Sequence, residues 1–228
     1  MPLVLVPMLL AALREGGAFE HVAGGQFLPY WKSMCAAVSL LGLAIRGHVG
    51  GHVPAFTSGR SNEEQLATSL NTTGMYSIVR NPLYLGNFLC VLGIALVMQV
   101  WWFVVICCLA FWLHYERIIL AEEAFLTQRF GETFERWASV TPCFRPRPAQ
   151  WRRPSLPFSW KTALRREFSG FFLLVASFEV VGILGRGLSQ DKWVLDASTT
   201  ITLVVTLVAY TALAVLKKKT KVFRVEGR

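Results

Sequence analysis

The chain has 228 residues, 54% of them hydrophobic and 16% charged, with a mean hydropathy of +0.45 and a formal net charge of +9. A soluble domain of this length carries more charge and spreads its apolar residues at helix or strand period, whereas here they come in blocks, which excludes an ordinary soluble domain and predicts an integral membrane protein. The positive excess then points to cytoplasmic loops and anionic headgroups as partners, and away from nucleic acid.

In chain order the apolar blocks fall at about 2–13, 27–45, 83–98, 100–115, 168–184 and 197–216. A helix needs about 20 apolar residues to cross the ~30 Å hydrocarbon core. The second, fifth and sixth blocks come close to that length. The first is shorter and holds Pro2 and Pro7, and it lacks the basic flank of a cleaved signal peptide. From Leu83 to Leu113 no residue is charged. That run is too long for one crossing, so a hairpin turning near Gln99 is expected. Its second arm is expected to continue as a helix through Glu116–Phe130 and to break in the proline-rich stretch after Thr141. The division expected is N-terminal membrane helices at 1–46, a cytoplasmic loop at 47–82, a core at 83–150, and an amphipathic segment with two further spans at 151–228.

Orientation follows from lysine and arginine counts. Residues 116–167 carry ten, 217–228 carry six and 46–82 carry three, against two each in 14–32 and 185–195. Placing the three richer segments in the cytoplasm gives alternating topology through six spans. The fold class expected is therefore an all-α, polytopic helical bundle of five to six spans, in a membrane such as the bacterial inner membrane. Five cysteines, an odd number without CxxC spacing and mostly inside apolar runs, read as small buried hydrophobes.

The polar punctuation at the mouth of the uncharged run is the first chemical signal. Asn81-Pro82 reads as a helix start, with asparagine as cap and proline at the first helical position. Arg80 beside the free amides of such a start makes an anion site. Downstream stand Glu122-Glu123, then Phe130-Gly131, Phe134, Trp137 and Pro142. The order Gly74, Tyr76, Arg80-Asn81-Pro82, Tyr84, Gly86, an apolar hairpin, Glu-Glu, Phe-Gly, Phe, Trp and Pro142 resembles the isoprenylcysteine carboxyl methyltransferases. Phospholipid methyltransferases share it more distantly. The likeness covers about residues 74–148, with Asn81 where that family usually has histidine and Thr141 where it usually has valine.

The resemblance implies an integral membrane methyltransferase using S-adenosylmethionine (SAM). It implies that Tyr76, Arg80, Asn81, Pro82, Leu83, Tyr84 and Gly86 form one wall of the cofactor pocket and Glu122 and Glu123 another. The chemistry agrees, since carboxylates suit a ribose diol and a sulfonium, while amides and a guanidinium suit a carboxylate. Arg80, Arg136 and Arg145 are the candidate catalytic residues, orienting an anionic acceptor. Ser58, Arg60 and Arg147 are candidates for binding it. A fainter likeness of Thr57-Ser58-Gly59-Arg60 and the stretch Leu70–Ser77 to enzymes that methylate the 1-phosphate of lipid A suggests that acceptor. A prenylated cysteine carboxylate and a phosphatidylethanolamine amine stand as alternatives, and a small transporter or lipid-binding scaffold is the non-enzymatic one.

Other features weigh less. His48 and His52 look like a metal clip, but no third ligand is evident and the three glycines between residues 47 and 51 argue against a fixed helix, so no metal is expected. Asn71-Thr72-Thr73 is a glycosylation sequon that this topology leaves in the cytoplasm. Glu179 is an acid inside an apolar block and so a functional candidate by position.

Overall fold

The computed structural model of the chain describes residues 2–15, 27–54, 69–190 and 195–220, together with positions 193, 223 and 225. Seven α-helices occupy the described residues: α1 Pro2–Glu15, α2 Leu28–His52, α3 Pro82–Val97, α4 Trp101–Phe130, α5 Glu132–Val140, α6 Trp160–Gln190 and α7 Ala197–Lys219. Each apolar block of the sequence lies inside a helix to within one residue at its ends. Four of them (α2, α4, α6 and α7) are long and apolar enough to cross a bilayer, while α3 is a shorter apolar helix. At 16 residues α3 is only about 24 Å long, and α1 is shorter still. The chain is a helical integral membrane protein.

By packing, the residues fall into two compact units. The first comprises Met1–Leu43, Phe88–Phe111 and Phe168–Val215, the second Ala44–Asn87, Trp112–Glu167 and Leu216–Arg228.

In the first unit the expected hairpin is present. Gln99 turns it with φ 59°, a left-handed conformation that closes α3 much as a C-terminal glycine does. Around that turn Ala95, Met98, Val100 and Phe103 pack with Ala12 and Leu13 of α1 in one buried cluster. The outer arm of α2 binds α3 at close quarters. Ser39 Oγ donates to Cys90 O at 3.0 Å, and Trp31 Nε1 donates to Leu96 O at 2.9 Å. Gly93 permits this approach, because a Cβ there would sit 2.1 Å from Ser39 Oγ and 2.5 Å from Cys35 O. Small residues let helix backbones close on each other where lipid supplies no hydrophobic drive. Asp196 caps α7, its carboxylate accepting the Thr199 amide at 2.7 Å, and Phe168 stacks on Tyr210 at 5.7 Å. Val204, Val205, Leu207 and Val208 of α7 are exposed, as a lipid-facing surface requires.

In the second unit the helical extension of α4 runs unbroken to Phe130, as expected. Gly131 then turns the chain with φ 52° and ψ −132°, a region that side-chain-bearing residues rarely enter, and α5 follows. Gly74 has the same conformation ahead of a single 3₁₀ turn at Met75–Ser77. Two of the motif's three glycines, Gly74 and Gly131, therefore have a backbone reason to be glycine. One expectation fails here. The glycines at 47, 50 and 51 do not interrupt a helix, since α2 continues through them to His52. Packing overrides their low propensity: a Cβ on Gly51 would lie 2.2 Å from the Phe158 ring, and one on Gly50 would lie 3.3 Å from Arg166 Cδ.

These contacts separate the glycines by cost. Gly93→Ala should destabilise the protein in detergent by about 1–3 kcal/mol, because backbone rather than a flexible side-chain tip must yield. Gly131→Ala should cost about 1–2 kcal/mol from strain alone, with nothing near its Cβ position. Gly47→Ala, also in open space but inside a helix, should be neutral or slightly stabilising. Thermal unfolding of the three variants checks the order.

Candidate functional site

The motif residues before α3 and those after α4 meet in the second unit through backbone hydrogen bonds. The proline-rich stretch cannot form a helix and instead runs beside residues 74–80. Gly74 N donates to Arg152 O at 2.9 Å, Arg80 N to Pro142 O at 2.9 Å, and Arg147 N to Ile78 O at 3.0 Å. Side chains complete the lacing. Trp137 Nε1 reaches Tyr76 O at 3.2 Å, and Ser77 Oγ accepts the Arg152 amide at 2.9 Å. Buried backbone groups need partners, and each stretch supplies them to the other.

Arg80 is the densest node. Its Nε and one Nη donate to the two oxygens of Glu123 at 2.9 and 3.4 Å, and its other Nη donates to Ala138 O at 2.7 Å and Thr141 O at 3.2 Å. Those two carbonyls lie at the C-terminal end of α5, where the helix dipole favours a cation. The guanidinium fork is thus committed to a carboxylate on α4 and to a helix end. The side chains of the pair are 19% and 25% exposed, so the bridge is partly desolvated and loses strength if either member goes.

Asn81 stands where the cap was expected. Its carbonyl accepts the Leu85 amide at 3.0 Å, the first bond of α3. Its side-chain amide, however, donates to Cys143 O at 3.2 Å. The residue therefore both opens the helix and pins the proline-rich stretch. Pro82 behind it is fully buried, and Gly86 is buried one turn further on, with Leu83 half-buried between them.

Glu122 faces the same wall. Tyr84 Oη donates to its Oε1 at 2.6 Å. Tyr76 lies near enough to feel its charge: desolvation pushes the Tyr76 phenol up, the Glu122 carboxylate adds to that, and Arg166 opposes it. Tyr76 thus stays protonated, a donor at any physiological pH. Tyr76, Arg80, Asn81, Pro82, Tyr84, Glu122 and Glu123 all belong to this one unit.

The side chains of the remaining described candidates are exposed. Arg136 is exposed and pairs with Glu132 one turn back at 3.7 Å. The Arg145 and Arg147 side chains are also exposed, on the proline-rich stretch. Ser58 and Arg60 fall outside the described residues. His48 and His52 pack ring to ring at 4.4 Å, with Trp151 and Phe158 against His48, and no group of three metal-ligating residues forms among the described residues. A cluster the sequence did not disclose adjoins Tyr84: Arg46, Asn87, Tyr115 and Glu167, drawn from four helices. The one hint was an arginine ending one apolar block and a glutamate opening another.

Comparison with known proteins bears on the same residues. The phospholipid methyltransferase family model matches residues 51–133, a span that holds the wall from Gly74 through Glu123. A cobalt-zinc-cadmium resistance protein of Cupriavidus metallidurans is 33% identical over 131 residues, covering 55% of this chain and 58% of the relative. A nickel-cobalt-cadmium resistance protein of Alcaligenes xylosoxydans is 31% identical over 146 residues, 64% of this chain and 56% of its own. The protein-S-isoprenylcysteine O-methyltransferase of Schizosaccharomyces pombe is 29% identical over 149 residues, 61% and 63%. The chain thus spans less than two thirds of the length of these relatives. No solved structure matches it. The motif from Gly74 to Glu123 thus lies inside a segment that matches the phospholipid methyltransferase family model, and the chain is similar to an isoprenylcysteine methyltransferase.

Proposed function

We propose that the protein is an integral membrane methyltransferase that uses SAM to O-methylate an anionic group, phosphate or carboxylate, on a membrane-embedded amphiphile. The observation that carries this reading is the meeting of Tyr84 with Glu122 and of Arg80 with Glu123 inside the matched segment.

The residues fit the cofactor's chemistry. Glu122 gives one oxygen to Tyr84, which leaves the other to accept from a ribose diol or to face a positive centre. The first-turn amides of α3 at Leu83 and Tyr84 have no intrahelical partner, and such amides suit the amino-acid carboxylate. Arg80 is spent on Glu123 and on α5, so its role here is to hold the wall rather than to grip an anion. Arg145 and Arg147, exposed on the adjoining stretch, are the cations left for the acceptor. Bound at this wall, SAM supplies an electrophilic methyl on a sulfonium. The protein's part is to bring an oxygen in line with that methyl and to exclude water from it. An acceptor oxygen that is already ionised needs no general base.

The name of the fission yeast relative supports a prenylated cysteine carboxylate as acceptor, and the faint likeness in residues 57–77 supports lipid A 1-phosphate. The family model's name supports a second reading, an amine on a phospholipid headgroup, which must lose a proton before or during transfer. The charge asymmetry of the loops supports a cytoplasmic active site in a bacterial inner membrane, and the exposed Arg152, Arg153 and Lys161 suit anionic headgroups.

Glu122→Ala should lower SAM affinity about tenfold to a hundredfold with the fold retained, as expected for one charge-assisted hydrogen bond of ~1.5–3 kcal/mol. Glu123→Ala and Arg80→Lys should instead cost stability as well as affinity, because each breaks the brace. Calorimetric titration of SAM beside thermal unfolding separates the two patterns, and unchanged affinity in Glu122→Ala would remove that residue from the pocket.

Asn81→His keeps a donor toward Cys143 O and should stay active. Asn81→Asp presents an acceptor to that carbonyl and should lose most activity, as should Asn81→Leu. Methyl transfer from labelled SAM to membrane extracts measures this and identifies the acceptor. A rate that climbs as the amine deprotonates supports the second reading, whereas a rate already flat near neutral pH supports an ionised oxygen.

Single cysteines at Gln128 and Ala149, both exposed, in a chain lacking the native five should react with an impermeant thiol reagent from the cytoplasmic side only. Labelling from the opposite side would reverse the proposed orientation.

A further inference from the structure

Arg46 on α2 and Glu167 on α6 form a two-pronged ion pair, Nε to Oε2 at 2.7 Å and Nη2 to Oε1 at 3.2 Å, with side chains only 15% and 11% exposed. Such a pair is costly to bury in a membrane protein, and ionisable groups there mark function by default. This one lies outside the methyltransferase motif, yet it leads into it. The remaining Nη1 of Arg46 donates to Asn87 Oδ1 on α3. Arginine has no acceptor, so Asn87 must turn its oxygen that way, and its NH₂ is thereby forced toward Tyr115 on α4. There Asn87 Nδ2 donates to Tyr115 Oη at 2.9 Å. The Tyr115 ring packs on Tyr84 with centroids 4.8 Å apart, and Tyr84 Oη donates to Glu122. From Arg46 to Tyr115 each donor and acceptor has its sense fixed by the guanidinium, and the step from Tyr115 to Tyr84 is one of ring packing.

We propose that Arg46, Glu167, Asn87 and Tyr115 are positioning residues for the cofactor wall: they fix the ring of Tyr84, and through it the carboxylate of Glu122, in the orientation that receives SAM. The proposal rests on the reading of that wall given above. A geometry held through two packed rings tolerates little slack, and a catalytic group displaced by 1 Å loses rate steeply. Arg46 and Glu167 lie outside the matched segment 51–133 and stand 121 positions apart.

The test is a thermodynamic cycle on SAM affinity, measured by calorimetry on the full chain in lipid nanodiscs. Tyr115→Phe keeps the ring and removes the acceptor for Asn87. It should weaken SAM binding about threefold to tenfold with helicity and unfolding temperature near wild type. In a Tyr84→Phe background, where the link to Glu122 is already cut, the same change should have no further effect. Asn87→Ala should follow the same pattern, and exchanging the charges, Arg46→Glu with Glu167→Arg, should restore part of the affinity lost in Arg46→Glu alone. An equal loss from Tyr115→Phe in both backgrounds, or no loss in either, overturns the relay while the cofactor wall stands. Absence of SAM binding by the wild-type chain overturns the wall and the relay with it.

Discussion

The second unit depends on one constraint: a stretch of chain that cannot be helical has to satisfy its backbone in a protein built otherwise of helices. Residues 141–152 carry Pro142, Pro146 and Pro148 and so have few donors of their own. They resolve this by running beside residues 74–80 and exchanging amide and carbonyl groups with them. Arg80 closes the arrangement, since its guanidinium takes up a carboxylate of α4 and two carbonyls at the end of α5 at once. The glycines at 74 and 131, both with positive φ, set the two stretches at the angle this pairing needs. What looks in the sequence like punctuation is the physical joint between the two halves of the motif.

That joint explains why the wall tolerates so much buried polarity. Tyr84 and Glu122 satisfy each other, Arg80 and Glu123 satisfy each other, and Asn81 serves the proline-rich stretch. Each charge is paired before any ligand arrives, which keeps the desolvation penalty within what the fold sustains. A ligand then meets oriented acceptors rather than groups it must first order. The same pairing assigns Arg80 differently from the plain motif. In the function proposed above, a guanidinium with all three nitrogens engaged acts as a brace, and the anion-holding role falls to Arg145 and Arg147.

Much of the architecture was legible in advance. The uncharged run of 31 residues from Leu83 to Leu113 was too long for one span and too short for two independent ones, and a turn at Gln99 was the remaining solution. The helical extension beyond it followed from apolar residues at helical spacing among charges. What misled was local propensity. Gly47, Gly50 and Gly51 read as a break, yet the helix passes through them, and Arg166 and Phe158 occupy the space beside Gly50 and Gly51. The Asn81 side chain read as a cap and instead holds Cys143, because capping is a local rule and that carbonyl arrives from 62 residues away.

The sequence alone determined the membrane class, the places of most helices and the family resemblance of residues 74–148, since hydropathy, charge asymmetry and motif spacing are properties of residues read in order. Only the tertiary structure decided the partners. That Arg80 faces Glu123, that Tyr84 faces Glu122, and that Arg46, Asn87, Tyr115 and Glu167 converge from four helices are facts of three-dimensional placement. Pair interactions fall off within a few ångströms, while the residues concerned stand from 28 to 121 positions apart. A one-dimensional pattern carries the identity of each donor and acceptor, and the fold alone brings them within reach of each other.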